Sequence, residues 1–188
     1  MPSYSEDSEP GFLSEWTEAE ESLQIVGYSC ICMLAASLHL YLTEWERQLD
    51  LKCCPDSSAE FKKGWLPGYR ACFRQRRTIL WDESGADLEL LEQIVLARNR
   101  VQHPGSIAGI HVTHSVEDIK KHSTIFFVDE GEMRSFASLG GVENDWLMPA
   151  ITITRAKFLT ALQEVERFGE WLDAKIRDFD TPSESDHA

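Results

Sequence analysis

Residues 86–105 read ADLELLEQIVLARNRVQHPG. On a helical wheel at about 100° per residue, Leu88, Leu91, Ile94, Val95 and Val101 fall on one stripe. The spacing predicts an amphipathic helix over 86–102 with that stripe against a core. Pro104 and Gly105 stop it, because the residue before a proline avoids helical dihedrals and glycine favours the cap. One residue breaks the pattern: Arg98 falls near the middle of the apolar stripe. A charge on a core face is costly unless it is paired or hydrated. Arg98 must therefore meet a buried carboxylate or face a wet groove between helices or subunits.

The flanking sequence reads as more helix. Residues 22–43 contain no Asp, Glu, Lys or Arg. That length is enough to cross a bilayer. Gln24, Ser29, Ser37 and His39 lie inside it, acidic residues flank it, and no Lys or Arg cluster marks one end. The reading is a long core helix from Ser14 or Thr17 to about Leu49, with a kink near Gly27 and no membrane insertion. Thr17-Glu18-Ala19-Glu20 fits a capping box, and Ser57-Ser58-Ala59-Glu60 a second one. The second opens a short helix that Gly64, Pro67 and Gly68 interrupt. A further helix is expected from Tyr69 to Leu80. At the other end, Phe158, Leu162, Val165, Phe168 (or Leu159), Leu172 and Ile176 recur every three or four residues, which predicts a helix over 154–179. Between them, residues 123–128 and 150–154 read as short strands around a turn at 129–132. The fold class is therefore mainly α: an up-down bundle of four to five helices with a small irregular or β-hairpin insert at about 106–153. The chain reads as one domain, 1–188, with tails at 1–11 and 181–188.

The 188 residues are 43% hydrophobic and 27% charged, which excludes collagen-like, low-complexity and wholly disordered chains. The formal net charge of −14 argues against a general nucleic-acid coat protein. The sign is uneven, however. Residues 61–81 hold Lys62, Lys63, Arg70, Arg74, Arg76 and Arg77 with no acidic residue, interleaved with Trp65, Tyr69 and Phe73. Cations and stacking rings together suit a nucleic-acid strand. Neutralisation of the acidic first helix is the alternative. The cysteines, Cys30, Cys32, Cys53, Cys54 and Cys72, form no C-x-x-C pair, and the expectation is reduced thiols in the cytoplasm. His111, His114 and His122, with Glu117 and Asp118 nearby, match no zinc spacing, and neither a metal nor a cofactor is expected. No phosphate-binding glycine loop and no G-x-S-x-G is present.

Arg98-Asn99-Arg100-Val101-Gln102-His103 carries the chemistry. Asn99 and His103, four apart, share a helix flank, whereas Arg98 and His103 diverge by about 140° on an ideal helix. A histidine ionises near neutrality and can move protons, and a guanidinium can hold two phosphate oxygens. This Arg-Asn-x-x-x-His arrangement at a bundle-helix end resembles the HEPN superfamily of helical ribonucleases and defence proteins. Gly105 stands where one toxin branch of that superfamily has tyrosine.

The resemblance implies an up-down bundle whose motif copies meet across a homodimer cleft. It implies a metal-independent endoribonuclease with Arg98 and His103 catalytic and Asn99 supporting. RNA would be held by Lys62, Lys63, Arg70, Arg74, Arg77 and Arg100. A defence-system or antitoxin partner also follows from it. The other expectation is a non-catalytic helical interaction module, or a nucleotide-binding sensor using the same basic cleft. These would differ in whether a carboxylate of the same chain holds Arg98.

Overall fold

The computed structural model describes residues 12–53, 59–103, 112–122, 124–143 and 148–180. Among them are six α-helices and no strand: α1 (Leu13–Gln48), α2 (Trp65–Arg77), α3 (Leu88–Gln102), α4 (Val116–Lys121), α5 (Glu130–Ser138) and α6 (Arg155–Asp180). The expected mainly helical bundle is what forms.

α3 starts where Asp87, just outside it, accepts a hydrogen bond from the Leu90 amide at 2.9 Å. It buries Leu90, Leu91, Ile94, Val95 and Ala97. α1 buries Ile31, Leu34, Ala35, Leu38 and Leu42 against α3 and α6. α6 returns Ala161, Phe168, Leu172 and Ile176 to the same core. Trp81, in a 3-10 turn before α3, meets Phe168 edge-on at 4.7 Å. α2 covers α1 through Leu66, Tyr69, Cys72 and Phe73. Only Leu159, of the two alternatives on α6, faces out.

Several expectations need correction. α1 passes through Gly27 without a break. A Cβ there would stand 2.8 Å from the Ile153 side chain and 2.9 Å from its carbonyl, so the glycine admits a crossing segment. α1 also begins before Thr17, whose hydroxyl donates to the Leu13 carbonyl at 2.9 Å inside the helix. α2 begins at Trp65 rather than Tyr69, because Pro67 sits in its first turn, where a missing N–H costs nothing. Ser57 and Ser58 lie outside the described residues; the turn that follows them is a 3-10 turn at Phe61–Lys63. The expected strands shrink to an isolated Thr113–Ala150 bridge and single bonds, such as Thr152 N–H to the Phe127 carbonyl at 3.0 Å. Asp129 caps α5 by accepting from the Gly131 and Glu132 amides, so the expected hairpin turn is a helix start.

Cys53 and Cys72 form a disulfide across a sequence separation of 19, against the expectation of thiols; Cys30 and Cys32 are free. The bond ties the chain beyond α1 to the middle of α2. By length and composition α1 is able to cross a membrane, although 33% of its most apolar window is buried inside the fold. The expected tails, Pro104, Gly105 and His111 lie outside the described residues.

Candidate active site at the end of α3

Arg98 occupies the last full turn of α3 and is half-buried. Among the described residues no carboxylate pairs with it. Its guanidinium instead donates to the Asn99 side-chain oxygen at 2.8 Å. The Asn99 carbonyl accepts the His103 amide at 2.9 Å, which closes the helix. Asn99 therefore touches both other members of the motif, one through its side chain and one through its backbone. The His103 ring is exposed at the C-terminal cap. It lies about 7.5 Å further along the axis than Arg98 and about 140° around it. In one chain the two side chains diverge.

A different imidazole feels the charge of Arg98. His39 of α1 is exposed, and burial of part of its ring, followed by the Arg98 charge, holds its pKa below the ordinary 6.5. Two turns earlier on the same flank of α1, burial pushes the Cys32 thiol up while Arg98 pulls it back. The Arg98 charge is thus felt by both residues. The His39 ring also stacks on Trp65, with centroids 4.6 Å apart and planes 21° apart. Partial burial and the Arg98 charge both favour the neutral form of the His39 ring. The sequence reading used it only to oppose membrane insertion; its being the one imidazole in the charge-free stretch 22–43 was the available signal.

The expected RNA contacts divide. Trp65 opens α2 and stacks on His39, with Lys62 and Lys63 just before it. Arg70, Arg74 and Arg77 lie about 8, 14 and 18 Å further along that helix. Arg70 pairs with Asp82 at 2.6 Å, Lys63 with Glu60 at 2.8 Å, and Arg77 donates to the Leu49 carbonyl at 3.0 Å. None of the six cations of residues 61–81 makes an ion pair with an acidic side chain of α1 among the described residues. Arg70, Arg74 and Gln75 line an open cleft of about 620 Å³. Arg100 is committed elsewhere: its Nε donates to Asp118 at 2.8 Å, and that carboxylate is buried.

The expected lack of a metal cluster concerned His114 and His122. Both are buried, His114 against the Phe127 carbonyl at 2.8 Å and His122 against Glu89 at 3.2 Å. Burial lowers the His114 pKa. Among the described residues no three His, Cys, Asp or Glu side chains converge. No family of known proteins matches the chain, and neither does any curated protein or solved structure.

Proposed function

We propose that this chain is a HEPN-type, metal-independent endoribonuclease that acts as a homodimer in the cytoplasm, in a defence or toxin–antitoxin setting. The observation that carries the reading is Arg98. It sits on the core stripe of α3, yet among the described residues its side chain is held by Asn99 and not by a carboxylate. A guanidinium kept unneutralised at a helix end is suited to an anionic ligand.

In the proposed reaction an RNA 2′-hydroxyl attacks the adjacent phosphorus. An imidazole accepts the hydroxyl proton and a second protonates the departing 5′-oxygen. His103 serves one of these steps, and His39 is the other imidazole near the phosphate. Arg98 holds the phosphate oxygens as charge builds on them. The products are a 2′,3′-cyclic phosphate and a 5′-hydroxyl. DNA, lacking the 2′-hydroxyl, is spared. Lys62, Arg74 and neighbouring cations of α2 hold the strand.

The test is cleavage of single-stranded RNA in excess chelator by wild type, Arg98→Ala and His103→Ala, with DNA of the same sequence as control. Loss of cleavage in both variants is expected. Equal activity in wild type and His103→Ala refutes the role of His103, and cleavage only with added metal refutes the mechanism.

A further inference from the structure

We infer that the outward face of α1 is a self-pairing surface on which a second copy of this chain lies antiparallel. Trp16, Leu23, Val26, Met33 and Leu40 are between 59% and 70% exposed. Their spacings of 7, 3, 7 and 7 residues are those of a heptad seam, and Ala19, Cys30 and Ser37 fill the intervening seam positions. A repeat of 3.5 residues keeps one stripe facing another helix, whereas the core face of α1 is already used by α3 and α6. The stripe offers roughly 400 Å² of apolar surface per copy. That is at the size of the largest patches monomers expose, and its polar flanks extend it towards the ~800 Å² per partner of a stable dimer.

The N-terminal end of α1 points to the same occupant. Residues 14–23 are exposed on every side of the helix, an overhang of about 15 Å. So short a helix is marginal in water without a partner to lie on. Ser22, Ser29, Ser37 and Thr43 are also exposed and glutamates flank the stripe, which favours a second helix over a bilayer as its occupant.

Charge chooses the direction. A parallel pair would set Glu15, Glu18, Glu20 and Glu21 beside the same four residues of the partner. In an antiparallel pair, Leu23 meets Leu40, Val26 meets Ser37 and Cys30 meets Met33, all about one centre. The acidic overhang then lies beside the partner's residues 42–48, where Arg47 stands with Glu44 and Glu46, and close to Arg77, which is bonded to the Leu49 carbonyl. Residues 22–43 bring no charge into the seam.

This inference rests on the homodimer of the proposed function and names its surface. Sedimentation velocity of the full chain should show a dimer. Met33→Glu and Leu40→Glu should weaken it about a hundredfold or more, with unchanged helicity, because both side chains are exposed in the single chain. Met33→Cys should cross-link with the partner's Cys30 under mild oxidation, while wild type does not. A wild-type cross-link abolished by Cys30→Ser would mean parallel pairing and overturn the register. A dimer surviving both glutamate variants would overturn the face while leaving the nuclease reading intact. A wild-type monomer overturns the inference, whether it stays in solution or sediments with phosphatidylcholine–phosphatidylglycerol vesicles; RNA cleavage by that monomer would preserve the chemistry without the dimer.

Discussion

Replacing Arg100 with alanine separates a structural cation from an RNA-binding one. Arg100 Nε donates to Asp118 Oδ2 at 2.8 Å, with the two side chains 35% and 9% exposed. Asp118 also completes the capping box that opens α4, exchanging hydrogen bonds with Ser115. Removing the guanidinium leaves a buried carboxylate with Ser115 alone. Breaking a fully buried pair costs about 3–5 kcal/mol. Water reaches a third of Arg100, so about 2 kcal/mol is the expected loss. For a chain of this length that lowers Tm by about 4–8 °C.

The pH dependence has a definite sign. Burial pushes the Asp118 carboxyl up, and the Arg100 and Ser115 hydrogen bonds outweigh it, leaving it below its ordinary value. A depressed carboxylate stabilises the fold above its unfolded pKa of about 3.9 and loses that contribution as pH falls through its folded value. The gap between wild type and Arg100→Ala, followed by circular dichroism melts, should be full at pH 7 and narrow below about pH 4. Adding Asp118→Asn to Arg100→Ala should recover part of the loss. Identical melts for wild type and Arg100→Ala, together with lost RNA affinity, would refute the reasoning and return Arg100 to the RNA-binding set.

The His39 ring protons, followed by NMR, should titrate below pH 6.5, and Arg98→Gln should move that midpoint upward by removing a like charge; an unmoved midpoint would separate the two residues. Gly27→Ala should destabilise the fold by about 1–3 kcal/mol through its clash with Ile153, more than alanine at exposed Ser29, as denaturant melts would show. Reducing the Cys53–Cys72 bond should cost about 3 kcal/mol, read as a lower urea midpoint for the reduced protein.

The helices were legible because each carries its own period: α3 and α6 repeat every three or four residues, and their buried sets follow that repeat. What failed was local ambiguity. Asp129 suits a turn and a helix cap equally, since the same short carboxylate serves both. Pro67 reads as a breaker unless the helix start is already known. At the site, Arg98 was conspicuous because one helix suffices to show a charge on an apolar stripe. His39 and the Arg100–Asp118 pair were not, because each depends on which segments pack together. The Cys53–Cys72 bond was hidden for the same reason: spacing alone does not say which cysteines face each other.

The geometry around α1 relates the proposed site to the proposed self-pairing surface. The seam residues and the Cys32–His39 flank lie about 150° apart around the α1 axis, by the 100° advance per residue. Pairing through the seam therefore leaves the Arg98 flank uncovered. The two-fold axis of an antiparallel helix pair stands perpendicular to the plane of the two helices, so it carries one open face onto the other without inverting it. Both copies of Arg98, and both His39 rings, would then open on the same side of the dimer. Within one chain Arg98 and His103 diverge, so the motif's two halves gain most from a neighbour that brings a second set to the same face. The exposed apolar seam and the unneutralised arginine thus bear on one arrangement, although each is read from a different helix.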